Sequence, residues 1–335
     1  MMANSVMTPE AFFEELKLDP VQRYAFVLGN GINYYLRNSV VSWKELLDNF
    51  IRVNKDSLEE LSFASQSKDV TNTEIVNLIE VFADKELGAG NPAAAMRKKL
   101  MAFLKERLSF KAPGECALLD AAWGKHHILT TNFDESIEKY ISRSIKRRLK
   151  GCEAKARNKE ENVHSNNGDY PWNRFWGLKD CPKERSPLDH HNTIWHIHGK
   201  LDNKTSCSVL FSLTRYVNAI KRVELWKMAS PEKWPGRNTW VNIFYNEPLI
   251  IAGLGLENQE VFLRTLLIER NRHWKKQKKD GKIKKEPKSF YLVRKTDDDK
   301  KATDGRAFLR ALGFEVVEFE STEDLYNNNN WKVER

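Results

Sequence analysis

The feature that most constrains the fold is a recurring local pattern. Short apolar runs rich in strand formers each stop abruptly at glycine, asparagine, aspartate or histidine. Arg23–Leu28 (RYAFVL) runs into Gly29-Asn30-Gly31-Ile32-Asn33, and His126–Thr130 (HHILT) into Thr131-Asn132-Phe133-Asp134. Thr193–Ile197 (TIWHI) ends at His198-Gly199, and Leu249–Ala252 (LIIA) at Gly253-Leu254-Gly255. Ser208–Phe211, Phe290–Val293 and Phe314–Phe319 are further runs of this kind. Helical periodicity fills the intervals. Ser42-Trp43-Lys44-Glu45 forms a capping box ahead of Leu46, Leu47 and Phe50. Ile75, Leu78, Ile79 and Phe82 share one helical face, and Asn91-Pro92 opens a helix carrying Met96, Leu100, Phe103, Leu104 and Leu108. Strands alternating with helices predict an α/β fold: a Rossmann-like, doubly wound parallel sheet flanked by helices.

The pattern sets the domain organisation. Residues 1–22 are expected to form an N-terminal helical segment, 23–325 the Rossmann-type domain, and 326–335 a C-terminal tail. From about 151 to 191 the rhythm breaks: the stretch is polar, with Asn166-Asn167-Gly168-Asp169, three prolines and the aromatics Trp172, Phe175 and Trp176. It is expected to be a small helical or irregular insertion, or a cap on the sheet. No apolar run approaches the roughly 20 residues that span a bilayer. The N-terminus carries Glu10, Glu14 and Glu15 and lacks a basic-then-apolar signal pattern. A cytoplasmic protein with no membrane contact is the expectation.

Charge and cysteines narrow the classes further. The 55 Lys+Arg exceed the 46 Asp+Glu, giving +9. The excess is concentrated: Glu269–Lys288 has ten basic residues against three acids, and Arg143–Glu160 eight against two. Such runs are either solvated faces or docking sites for an acidic partner or a nucleic acid. Cys116, Cys152, Cys181 and Cys207 lie far apart with no C-x-x-C pair, which argues against a zinc ribbon and fits a reducing compartment.

In open α/β sheets ligands bind beyond the carboxyl ends of the strands, and the unusual residues fall there. Gly29-Asn30-Gly31 lacks the third glycine of the G-x-G-x-x-G fingerprint and reads equally as a turn or as a phosphate cradle. Asn132 and Asp134 could cap the following helix, face a ligand, or both. His196 and His198, at i and i+2, point to one face of a strand. They admit three readings: structural histidines, a metal pair, or a general base at the strand end. His198, in the turn beside Gly199, is better placed than His196 for proton transfer.

Taken together these motifs resemble the Sir2 superfamily, and more closely its bacterial NAD-consuming branch than the protein deacetylases. Phe26–Asn33 is similar to the family's opening G-A-G-x-S loop, and Ser42–Leu47 to the P-S-W-x-x-L stretch that follows it. Thr130-Thr131-Asn132-Phe133-Asp134 resembles the T-T-N-x-D motif, His196–Gly199 the H-x-H-G motif, and Gly253-Leu254-Gly255 the G-x-S loop. The resemblance spans about 24 to 319. It implies NAD+ as substrate and no metal. Asn132 would hold the cofactor ribose or a water beside the nicotinamide ribose. Asp134 would contact the nicotinamide amide or orient its loop. His198 would take a proton from a ribose hydroxyl or from water. Gly29, Gly31 and Asn33 would lie along the diphosphate, Gly253 and Gly255 near the adenosine side, and Asn30, Ile32 and Thr131 would also bind the cofactor.

The chain departs from the deacetylating sirtuins in lacking their zinc ribbon. It also has Tyr34-Tyr35-Leu36-Arg37 where they carry P-D-F-R. The resemblance therefore implies an NAD+ glycohydrolase releasing nicotinamide and ADP-ribose, serving as an anti-phage effector that depletes NAD+. The alternatives are an NAD-dependent protein deacylase or ADP-ribosyltransferase, and a degenerate nucleotide- or nucleic-acid-binding module. The branch also implies a homo-oligomer and an activating partner protein, such as an ATPase or a nucleic-acid-sensing subunit; direct nucleic-acid contact is one reading of the basic runs' charge.

Overall fold

The computed structural model describes residues 6–37, 42–61, 67, 70–86, 92–107, 114–151, 164–166, 193–199, 212–228, 239–256, 260–295 and 299–332. Seven strands form one parallel sheet: β1 (Ala25–Leu28), β2 (His127–Thr130), β3 (His164–Asn166), β4 (Thr193–His196), β5 (Leu249–Ala252), β6 (Ser289–Arg294) and β7 (Phe314–Phe319). Their order is β3-β4-β2-β1-β5-β6-β7. The chain thus winds outward from β1 in one direction, returns, and winds outward in the other from β5. The crevice at β1/β5 is the point where the order reverses, the usual ligand side of such a sheet.

The helices in chain order are α1 (Pro9–Leu18), α2 (Asn30–Arg37), α3 (Trp43–Val53), α4 (Lys55–Leu58), α5 (Asn72–Glu86), α6 (Pro92–Arg107), α7 (Ala117–Ala122), α8 (Ser136–Gly151), α9 (Leu213–Met228), α10 (Trp240–Asn246), α11 (Val261–Lys279), α12 (Asp299–Ala311) and α13 (Thr322–Asn327). Alternation along the strands divides the apolar residues between two faces. Val27, Leu129, Trp195 and Ile251 face a core completed by residues of α9 to α12. Phe26, Leu28, Ile128, Ile194, Ile250 and Phe290 face a second core, completed by α1, α2, α7, α8 and α13. Central strands buried on both faces call for apolar sequence: β1 and β5 are apolar throughout, and β2 sets Ile128 and Leu129 between the buried His127 and Thr130.

Between β1 and β2 the chain builds a separate helical cluster. Leu46, Leu47 and Phe50 of α3 pack with Ile75, Val76 and Ile79 of α5 and with Met96, Leu100 and Leu104 of α6. Ser42 caps α3 as its sequence predicts, its hydroxyl accepting from the Glu45 N–H at 3.0 Å. A further capping box, Thr71-Asn72-Thr73-Glu74, starts α5: the Glu74 carboxylate accepts from the Thr71 N–H at 2.8 Å while Glu74 N–H donates back to the Thr71 hydroxyl. This cluster sits over the carboxyl ends of the strands.

Three expectations change. The 151–191 stretch lies mostly outside the described residues, but its His164–Asn166 is an edge strand pairing with β4 and therefore part of the sheet. Residues 326–332 belong to the fold rather than to the C-terminal tail expected over 326–335: Tyr326 and Trp331 are buried in the second core, and the Trp331 indole donates to the Leu325 carbonyl at 2.8 Å. Helix α1 is likewise integral, since Phe12 and Phe13 meet Phe290, Phe319 and Trp331 edge to face and Met7 bridges to Val317. The expected strand Ser208–Phe211 lies outside the described residues.

Candidate active site

The loops after β1 and β5 meet closely. Gly31 donates its N–H to the Gly253 carbonyl at 2.9 Å, and Gly29 donates to Ala252. A Cβ on Gly29 would lie 2.4 Å from the Gly253 oxygen, and one on Gly31 would lie 2.6 Å from the Gly253 Cα. Gly253 itself has φ +68°, the left-handed region that glycine enters without strain. These three glycines therefore let two strand-end loops touch. Because the Gly31 N–H is engaged by Gly253, it is not available to a phosphate in this conformation. Gly255 is exposed, and its carbonyl faces Gly305 of α12 at a distance only a glycine tolerates. Ile32 is fully buried in the second core, so its side chain serves packing.

The end of β2 is stitched to the end of β1. The Thr130 hydroxyl donates to the Leu28 carbonyl at 2.9 Å, and the Thr131 N–H donates to the same oxygen. Asn132 donates its side-chain Nδ2 to the Gly29 carbonyl at 3.1 Å and its backbone N–H to Thr130 Oγ1. A carbonyl can only accept, which settles the orientation of the amide: Oδ1 is the atom left for a ligand. Asp134 spends one oxygen on the Ser136 N–H at 2.8 Å, opening α8, and the other on Asn33 Nδ2 at 2.6 Å. It thus ties the β2 loop to α2 and orients both. The remaining Asn33 oxygen is buried without a partner.

The two histidines part company. His196 accounts for both ring nitrogens inside the protein, with Nδ1 2.7 Å from the Asn132 carbonyl and Nε2 2.8 Å from Glu138. His198 occupies the turn closed by Gly199 at φ +83°. Its ring packs among Phe133, Tyr216 and Phe262 at centroid distances of 6.1, 5.3 and 5.8 Å. Its Nε2 is buried with no hydrogen-bond partner. Burial among aromatics disfavours the imidazolium and pushes the pKa of His198 down to about 3. The ring is thus neutral near pH 7.

These groups line one cavity of about 150 Å³. Thr131, Asn132, Phe133 and Asp134 come from the β2 loop, His198 from the β4 turn and Asn30 from the start of α2. Trp43, Leu46, Asn72 and Thr73 come from the helical cluster above, and Tyr216 and Glu260 from α9 and the start of α11. Pockets for whole drug-sized ligands run from about 300 Å³ upward, so this volume suits the reacting end of a larger molecule. Tyr216 is held protonated, since burial and the Glu260 carboxylate both raise its pKa.

A family model for the SIR2-like domain matches residues 126–317, more than half of the chain. The chain belongs to this family. The matched segment runs from β2 through β7 and carries Asn132, His198, Gly253 and Gly255. No curated protein matches the chain. Sir2-like domains bind NAD+ and carry out NAD-dependent chemistry in general. Among the described residues no helix is long and apolar enough to cross a membrane, and no group of three or more His, Cys, Asp or Glu could hold a metal ion. Cys116 is buried, its thiol pushed up to about 12 by desolvation, and the other three cysteines lie outside the described residues.

Of the residues the sequence singled out in this Sir2-like chain, Asn30, Thr131, Asn132, Asp134 and His198 share the cavity. Gly29, Gly31 and Gly253 form the contact between the β1 and β5 loops, Ile32 is in the second core, Asn33 is joined to Asp134, and Gly255 stands apart near α12. Sequence reasoning missed Asn72, Thr73, Tyr216 and Glu260. The first two follow the Thr71 capping residue, a legible signal; Tyr216 and Glu260 carry no local motif.

Proposed function

We propose that this Sir2-like protein is an NAD+ glycohydrolase that cleaves the nicotinamide–ribose bond to give nicotinamide and ADP-ribose. The observation that carries the reading is one cavity holding two complementary unspent acceptors: the Oδ1 of Asn132 and the Nε2 of a neutral His198. NAD+ brings a leaving group that is already cationic, so its departure needs no protonating acid. What remains for the protein is to position a hydroxyl or water and to take its proton. Asn132 Oδ1 accepts from that water without adding positive charge, and His198 Nε2 accepts the proton. The Glu260 carboxylate on the cavity wall favours the positive charge that the ribose develops as the bond breaks. Phe133, Tyr216, Phe262 and Trp43 keep bulk water away.

The cellular role that fits this chemistry is anti-phage defence, in which depletion of NAD+ stops growth of an infected cell. In that role the enzyme is held in check until an activating partner or self-assembly completes it, the partner being an ATPase or a nucleic-acid-sensing subunit. Reaction in ¹⁸O-labelled water tests the chemistry. Hydrolysis places the label on the anomeric carbon of ADP-ribose without any acylated peptide. Nicotinamide release only when an acyl-lysine peptide is added, with the acyl group carried onto ADP-ribose, would make the protein a deacylase instead.

A further inference from the structure

His196 sits two residues before the proposed base, outside the cavity, and its neighbours leave its chemistry little freedom. The side chain is fully buried at the end of β4, directly across from Thr130 in the β2 register. Nδ1 faces a backbone carbonyl, that of Asn132, which can only accept. Nδ1 therefore carries a proton. Nε2 faces Glu138 Oε1 of α8 at 2.8 Å, and Glu138 is itself buried. A neutral ring with its proton on Nδ1 would leave two lone pairs opposed across that distance if Glu138 were ionised. A further proton is therefore held between the two groups. Among the described residues Glu138 is the titratable group in contact with the ring. Its other hydrogen-bond partner, the Asn132 carbonyl, does not titrate.

We propose that His196 and Glu138 form a positioning pair for Asn132: an imidazolium–carboxylate beneath the β2 turn whose Nδ1–H grips the Asn132 carbonyl and thereby holds Oδ1 toward the cavity. A charge-assisted hydrogen bond is about twice as strong as a neutral one, and it is directional. A buried ion pair is also a costly way to fill space, because apolar residues of the same volume often serve stability as well or better. The turn it grips has one other restraint on the Asn132 side chain, the single Nδ2 bond to Gly29. With the carbonyl released, the turn keeps its bonds to Thr130 and Leu28, but Oδ1 is held toward the cavity through the Gly29 bond alone. The effect on catalysis rests on the NAD+ hydrolase reading; the pair itself can be examined without it.

The first measurement is ¹⁵N NMR of the histidine side chains in the full-length protein without NAD+. His196, set between the Asn132 carbonyl and Glu138, is expected to carry protons on both nitrogens. In Glu138→Gln it should convert to the neutral ring with its proton on Nδ1, and the Asn132 side-chain NH₂ resonances should shift. A wild-type ring without a proton on Nδ1, or Asn132 resonances unmoved in Glu138→Gln, overturns the proposal whatever the enzyme's activity. Kinetics supply the second test. Glu138→Gln is expected to lower kcat about tenfold with KM changed less than about twofold, the pattern of an interaction that matters in the transition state. His196→Asn, which keeps a donor at the Nδ1 position, should retain more kcat than His196→Leu. A purely packing role predicts the reverse order, and finding it would overturn the proposal. Wild-type protein that releases no nicotinamide under any condition while showing the doubly protonated ring and the Asn132 shift would uphold the pair and refute the hydrolase reading.

Discussion

His198 shows how one burial event fixes both chemistry and stability. A histidine lowered to about 3 in the folded state and near 6.5 when unfolded binds its proton in the unfolded chain first. Its contribution is therefore present above about pH 6.5 and is lost as the pH falls toward about 3, at ~1.4 kcal/mol per pH unit. Acid denaturation followed by circular dichroism should be shallower across that window in His198→Phe than in the wild type. For the same reason kcat/KM, which reports the free enzyme, should show no limb near pH 6.5 from this residue. Asn132→Asp separates the two ends of the amide. It keeps the Oδ1 acceptor but sets a carboxylate oxygen against the Gly29 carbonyl, so turnover should collapse and stability fall by about 1–3 kcal/mol in chemical denaturation. At this scale much of the site was legible. Asn132, Asp134 and His198 announce themselves as polar residues ending apolar runs. The roles were less legible, because sequence cannot tell that Asp134 is consumed by Ser136 and Asn33, or that His196 faces Glu138 across 58 positions of chain.

Among the elements, the loops after β1 and β5 form a close glycine contact. Gly29→Ala would put a Cβ 2.4 Å from a backbone oxygen that cannot swing away, and Gly253→Ala adds a strained φ to a clash with Tyr326. Each should cost about 1–3 kcal/mol or more and lower the melting temperature measurably in thermal unfolding. Gly313 is also at positive φ, but a methyl added there would meet nothing within 4 Å, so Gly313→Ala should lose only the conformational part. A second clamp lies at the opposite end of the strands. Arg270 of α11 is buried and donates to the Phe244 and Glu247 carbonyls at 2.9 Å and to the Ser289 hydroxyl at 3.2 Å. Burial lowers its guanidinium to about 9, and its hydrogen bonds go to neutral oxygens. Strands and helices were readable from periodicity because central strands must be apolar on both faces. The β3 edge strand was not, since His164-Ser165-Asn166 is polar and owes its place to the backbone of β4.

For the whole molecule, the helical cluster between β1 and β2 is the feature the sequence did not organise. Its helices were visible one by one, but nothing local says that α3, α5 and α6 join each other rather than the sheet, or that Trp43, Leu46, Asn72 and Thr73 close the cavity from above. The charge also acquires a location. In α11 and the loop after it Lys275, Lys276, Lys278, Lys279, Lys282, Lys284 and Lys285 run together and are mostly exposed, at the end of the helix remote from the cavity-lining Glu260. If this stretch docks a partner, reversing three of these lysines to glutamate should weaken partner-dependent activation in a salt-sensitive manner while leaving the folded state intact by circular dichroism. The central claim is that Asn132 and His198 together cleave NAD+, and nicotinamide release tests it most directly. Purified wild type, with and without candidate activators, is compared with Asn132→Ala and His198→Ala in one chromatographic assay. The expected result is nicotinamide and ADP-ribose in equal amounts from the wild type, with release reduced by at least about a hundredfold in each variant. Turnover that survives both substitutions would contradict it.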